Sequence, residues 1–158
     1  MAIKIEQRKP LNAIQIVSEL DDAIDMQASD WEEYKKTGDM SKLQFMAGKQ
    51  PTIFLCNFAP KGHEASAIKD SMLGGRDDEG QPKLQLGSWS FKVVKFTLKD
   101  IQNPPDLPLE QQLKFKKDSQ GYAHDDVVTE LDRLGIVNEI FAMYTALTMG
   151  GARANAKN

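Results

Sequence analysis

The stretch that decides the fold is PTIFLCNFAPKGHEASAIKDSM, residues 51–72. From Thr52 to Phe58 it is almost continuously apolar, too short for a helix and rich in β-branched and aromatic residues. That pattern predicts a strand buried on both faces. Pro51 and Pro60 lack the N–H that a ladder needs, so they set its limits. Lys61-Gly62 then supplies a turn, and Ala65, Ile68, Lys69 and Met72 follow at helical spacing, with Leu73 beside Met72. Glu64 falls in the first turn, where a negative charge suits the helix dipole. Gly74-Gly75 comes just after the last periodic residue, as a helix stop does. The unit reads strand, turn, helix, stop.

The chain has 158 residues, enough for one domain with a real core and no staples. It is 27% charged and 41% hydrophobic, ordinary values for a globular protein. A net charge of −3 gives no global field to attract nucleic acid or acidic membranes. Its single cysteine, Cys56, lies inside the predicted strand, so no disulfide framework is expected. No apolar run reaches the length of a membrane span, and MAIKIEQRKP lacks the apolar core of a secretory signal. The expectation is a cytoplasmic protein, and a viral protein made in a host cytoplasm reads the same way.

Outward from the central stretch, residues 1–12 fit an edge strand or a loose arm. In Leu11–Ala28, Ile14, Val17, Leu20 and Ile24 recur at spacings of three and four, which suggests a helix. Ser18, Asp21 and Asp22 weaken that helix by competing for the backbone. Ser29-Asp30-Trp31-Glu32 has the form of a capping box, predicting a helix over Asp30–Lys36 stopped by Gly38. Ser41 is read as the cap of another short helix that runs through Leu43, Phe45 and Met46 to Gly48. Arg76–Pro82 reads as a solvated loop turning at Glu79-Gly80.

Trp89–Ile101 fits both periods. Val94, Phe96 and Leu98 alternate as a strand, whereas Phe91, Val94, Leu98 and Ile101 mark a helical face. The β-branched Val93, Val94 and Thr97 favour a strand. Asn103-Pro104-Pro105-Asp106 ends either element, and Pro108 opens a predicted short helix over Leu107–Phe115. Lys116–His124 reads as loop. Asp125-Asp126 caps the clearest helix, whose stripe is Val127, Leu131, Leu134, Val137, Phe141, Tyr144 and Thr148. Gly135 marks a break into two helices, the second starting near Ile136. The predicted fold class is α+β, a small β-sheet packed with several short helices and a longer C-terminal helix. One domain is expected over residues 1–150, with a helical part at 1–50, a core at 51–150 and a mobile tail at 151–158.

Phosphate-loop, dinucleotide, nucleophile-elbow and zinc-type spacings are all missing, so no catalytic residue, metal ligand or cofactor is assigned. His63 and His124 would need to meet Glu64, Asp125 and Asp126 in space to hold a metal; the plainer reading is two surface histidines at helix starts. Asp77-Asp78-Glu79-Gly80 lacks the ligand spacing of a calcium loop and reads as a polar turn. Cys56 reads as a core thiol, inert among apolar neighbours. Trp89, Phe91, Lys92, Lys95, Phe96 and Lys99 interleave aromatic and basic residues, as a strand that stacks bases would; the bland alternative is a half-buried strand with lysines outward. The last helix adds Ile136, Ile140, Met143 and Leu147 to its stripe, which makes it central to the core or shared with a partner. The candidate partner surface is Trp89, Phe91, Phe96, Ile140, Phe141, Tyr144 and Leu147.

Several of these features together resemble the small tail assembly chaperones and related tail proteins of tailed bacteriophages. They are the strand Pro51-Thr52-Ile53-Phe54, the helix with Ile68-Lys69-Asp70, and Ile101-Gln102-Asn103 ahead of a Pro-containing insertion. A polar glycine turn at Gly121 and a final helix with Asp126, Leu131 and Glu139 complete the pattern. The resemblance covers residues 50–148. It implies an α+β fold without catalytic residues. It also implies binding to the tape-measure protein or tail-tube subunits before the tail polymerises, in the host cytoplasm. A minor virion protein of tail, neck or baseplate is the close variant, and a nucleic-acid-binding accessory protein is the alternative of another class. Self-association stays open; no membrane partner is expected.

Overall fold

The central stretch forms the middle strand of a three-stranded antiparallel sheet in the computed structural model, which describes residues 11–108 and 112–150. In chain order the elements are β1 (Ile14–Ile16), α1 (Trp31–Thr37), β2 (Ile53–Cys56), α2 (Gly62–Ser71), β3 (Leu73–Arg76) and β4 (Pro82–Leu84). Then come α3 (Leu86–Thr97), β5 (Leu98–Gln102), α4 (Asp125–Arg133) and α5 (Ile136–Thr145), closed by a π-helical turn at Ala146–Gly150. The sheet order is β1-β2-β5, and β3 and β4 make a separate hairpin. The fold is the mixed α+β type expected from the sequence.

β2 runs shorter than predicted. Phe54 and Cys56 are fully buried, but Ile53 and Leu55 are only half-buried, so one face rather than both is sealed. Its neighbour β1 corrects the helical reading of Leu11–Ala28. Ile14 and Ile16 pair with Cys56 and Phe54, and both are buried on one side while Gln15 faces out. Beyond β1, Ser18 and Asp21 do capture backbone N–H groups, at Leu20 and Ala23, and these local turns displace a helix. The helix at Trp31 forms as expected, but Asp30, not Ser29, caps it by accepting from Glu33 N. Gly38 ends it at φ 67°, a left-handed position open to glycine. Only a 3₁₀ turn, Met40–Lys42, stands where a second short helix was expected, capped by Asp39. Leu43 leaves it extended, and Phe45 bridges to Ile24.

α3 is the largest correction. Trp89, Ser90, Val93, Val94 and Thr97 are its buried residues, at steps of three and four, so the helical period wins over the β-branched content. Thr97 turns its hydroxyl back to Val93 O at 2.6 Å, satisfying the one polar side chain at the buried end of the helix. The chain then passes directly into β5, whose Ile101 and Gln102 pair with Phe54 and Ile53. Gly74 and Gly75 do not stop α2; they lie in β3, and Gly75 sits at φ 63° where the hairpin register shifts. The turn at Gly80 belongs to this hairpin, with Asp77 Oδ1 receiving the N–H groups of Glu79 and Gln81. Leu107, Pro108 and residues 112–115 are not helical; residues 109–111 lie outside the described part, as do the arm 1–10 and the tail 151–158.

The C-terminal pair matches the expected break. Gly135 takes φ 79° between α4 and α5, and His124 rather than Asp125 caps α4, its Nδ1 accepting from Asp126 N. The core joins the sheet to α3, α4 and α5 through Ile14, Phe54, Val94, Leu98, Leu131 and Ile140. A smaller cluster of Ile68, Trp89 and Val93 ties α2 to α3, with Phe96 and Phe141 against it.

Candidate functional site

The aromatic and basic residues of 89–99 are dispersed by the helix they form. Trp89 is buried edge-on against Phe141 at 4.8 Å, and Phe96 meets Tyr122 edge-on at 4.7 Å. Lys95 is 12% exposed and holds three oxygens: Asp125 Oδ1 at 2.7 Å, Asp118 Oδ2 at 2.9 Å and Ala123 O at 3.1 Å. The Lys95 hydrogen bond draws the Asp118 carboxyl down to about 2, and it lowers Asp125 in the same way. Lys95 therefore fastens α3 to the turn before α4. Of the remaining candidate partner residues, Ile140 is fully buried, and Phe91, Phe141, Tyr144 and Leu147 are half-buried against the core. Tyr144 meets Phe58 edge-on at 5.4 Å.

His63 and His124 have separate roles: His63 Nε2 is 2.9 Å from the Tyr122 hydroxyl, while His124 caps α4. Among the described residues, no three His, Cys, Asp or Glu side chains are placed to hold a metal. Burial pushes the Cys56 thiol far above its ordinary range, the inert core thiol expected from its neighbours. No described helix is long and apolar enough to cross a membrane.

Two other features stand open. The first is the β3–β4 hairpin. Leu73 and Leu84 are cross-strand partners and therefore share a face, yet they are 53% and 55% exposed. Leu86, at the start of α3, is 56% exposed. A two-stranded ribbon has little stability of its own in water, and large exposed leucines add nothing to it unless something covers them. The sequence reads Arg76–Pro82 as a solvated loop, so the ribbon that displays Leu73 and Leu84 is not legible in it.

The second is a cleft of about 440 Å³ between α1, the end of β1 and α5. Its floor is apolar: Ile16, Val17, Trp31, Ala142, Met143 and Ala146. Its rim carries Glu19, Glu32, Lys35, Lys36 and Glu139. Tyr34, a fully buried residue of α1, ties α1 to the β1 wall. Its hydroxyl donates to Gln15 O at 2.8 Å and accepts from Val17 N at 3.0 Å. Glu139 braces the opposite side, with Oε1 accepting from Glu19 N at 2.9 Å. Two buried polar atoms of the lining residues, Trp31 Nε1 and Glu139 Oε2, have no hydrogen-bond partner among the described residues. A broader depression of about 720 Å³, lined by Asp21, Thr52, Asn103 and Leu113 among others, contains no such atom among the described residues.

No protein-family model, curated protein or solved structure matches the chain.

Proposed function

We propose that the chain is a non-enzymatic assembly protein of a phage tail, a chaperone that covers apolar helical segments of the tape-measure or tail-tube protein before the tail polymerises. The observation that carries this reading is the hairpin that holds Leu73 and Leu84 side by side in solvent, with Leu86 close behind in the chain. A protein that masks a partner's apolar surface needs such a display more than it needs convergent polar chemistry. The sequence resemblance supplies the identity of the partner. Two of its pieces, Pro51–Phe54 and Ile101–Asn103, lie against each other in the sheet, where Phe54 pairs with Ile101. A third, Glu139, stands on the rim of the cleft.

The test is affinity capture of the tagged full chain from infected or prophage-induced cells, with purified virions blotted beside it. Recovery of the tape-measure or tail-tube protein, with no signal in virions, supports the chaperone. A fixed copy number in virions replaces it with the minor structural protein. Recovery of DNA or RNA that falls steeply with salt replaces both with a nucleic-acid accessory protein.

A further inference from the structure

We infer that the fold seals the free edges of its own sheet, and that the Asp100 carboxylate is the guard that keeps a second copy of the chain from pairing along β5. A sheet ordered β1-β2-β5 has two outer edges, and no described strand lies beyond either. An unsealed edge is a template for strand addition. On the β1 side the Tyr34 hydroxyl takes both groups that a further strand would use, Gln15 O at 2.8 Å and Val17 N at 3.0 Å. β5 is sealed from within its own strand. Asn57 N donates to Thr97 O at 2.8 Å, so Asn57 faces β5, and by alternation Leu55 and Ile53 face it too. Their partners Asp100 and Gln102 bond inward, which leaves Ile101, opposite Phe54, with its N–H and C=O turned outward. Asp100 Oδ1 accepts that N–H at 2.9 Å.

Other features agree. Lys99 is an extra residue on β5, because the register shifts between Leu55 and Cys56, and such a bulge spoils an edge for pairing. Pro104 and Pro105, just past the end of the strand, have no N–H to offer. In the ribbon, β4 opens on Pro82, and β3 is broken by the register shift at Gly75. Every free edge of the described strands therefore carries a device against strand addition. Only the one at Ile101 is a single contact of a half-buried side chain, so it can be changed without opening the core. Two copies meeting antiparallel at Ile101 would also bring two Asp100 carboxylates to one seam, like charge against like. A chain that holds Leu73 and Leu84 in solvent needs such edges, since apolar display beside an open edge invites aggregation. The guard stands independently of the tail-assembly reading.

The experiment compares the full chain with Asp100→Ala and Asp100→Asn by sedimentation velocity over a concentration series, and by amide hydrogen exchange at Ile101. Each is repeated in the Leu73→Ser, Leu84→Ser background, which removes association through the ribbon. In both backgrounds Asp100→Ala should associate as concentration rises. Asp100→Asn, which keeps the acceptor, should sediment as its parent does. When dilute, the Ile101 amide of Asp100→Ala should exchange about five-fold faster than in the parent chain, the weight of one hydrogen bond. It should slow again as copies pair, because the second copy then takes that N–H. An Asp100→Ala chain that stays monomeric with its Ile101 amide freed overturns the guard. So does exchange unchanged by the substitution, or association that leaves Ile101 unprotected. Association of Asp100→Asn equal to that of Asp100→Ala overturns it as well, since the acceptor is then not what seals the edge.

Discussion

Replacing Tyr34 by phenylalanine removes one oxygen from a site that is fully buried, and it removes both the donor and the acceptor that hold the chain beyond β1. Val17 N and Gln15 O each lose their bond to the hydroxyl. A net hydrogen bond contributes about 1 kcal/mol, and a buried group left unpaired costs about 1–3 kcal/mol, so the loss should be about 2–4 kcal/mol. Against a typical stability of about 5–15 kcal/mol that is a large fraction. With a urea slope of about 2 kcal/mol/M, the unfolding midpoint should fall by about 1–2 M with the slope unchanged. Trp31, whose ring lies 5.2 Å from that of Tyr34, reports the transition by fluorescence. The phenol adds a second signature. Burial, first among its causes, pushes the Tyr34 pKa above its ordinary range. The unfolded phenol then releases its proton at lower pH than the folded one, so stability is fully present below about pH 10 and declines above it. The Tyr34→Phe chain should lack that share of the alkaline decline. A midpoint shift below about 0.3 M would show that the hydroxyl is not the clamp between α1 and β1.

The Lys95 cluster predicts an acid sensitivity: Asp118 and Asp125 have lowered pKa values in the folded chain, so their contribution is present above about pH 4 and lost as pH falls toward 2. Urea midpoints across that window should fall less in Lys95→Met than in the parent chain. Gly135→Ala meets open space at φ 79° and should cost about 1–2 kcal/mol from backbone strain alone. Gly38→Ala, at φ 67° with Leu147 Cδ1 only 3.3 Å from the new methyl, should lower the melting temperature further than Gly135→Ala. Leu73→Ser with Leu84→Ser should change stability by no more than about 0.5 kcal/mol per site, since both side chains are more than half exposed.

The parts of the fold legible in the sequence are those where one local signal dominated. β2 stood out through its apolar run between prolines, and the α4–α5 pair through a long stripe broken at Gly135, whose left-handed backbone only a glycine adopts easily. The misread parts are those where two signals competed and tertiary packing decided. In α3, Val93, Val94 and Thr97 have strand propensity, yet the helix aims all three inward, onto α5 and the sheet. In β1 the spacing of Ile14 and Val17 mimicked a helix, while pairing with β2 stabilised a strand of only three residues. The candidate surface shifted for the same reason. Trp89 enters the candidate surface through the interleaved aromatic and basic residues and Ile140 through the wide apolar face of the last helix, and the fold buries both. The cleft was beyond reach of any sequence pattern, because Ile16, Trp31 and Glu139 converge on it from three separate elements.

The most direct measurement of the central claim is quantitative capture of the tape-measure or tail-tube protein from induced cells by the parent chain and by the Leu73→Ser, Leu84→Ser double variant, both shown to be folded by circular dichroism. The account predicts capture by the parent chain and its loss in the variant, at unchanged melting temperature. Capture of neither tail protein by the parent, or equal capture by a folded variant, would contradict it.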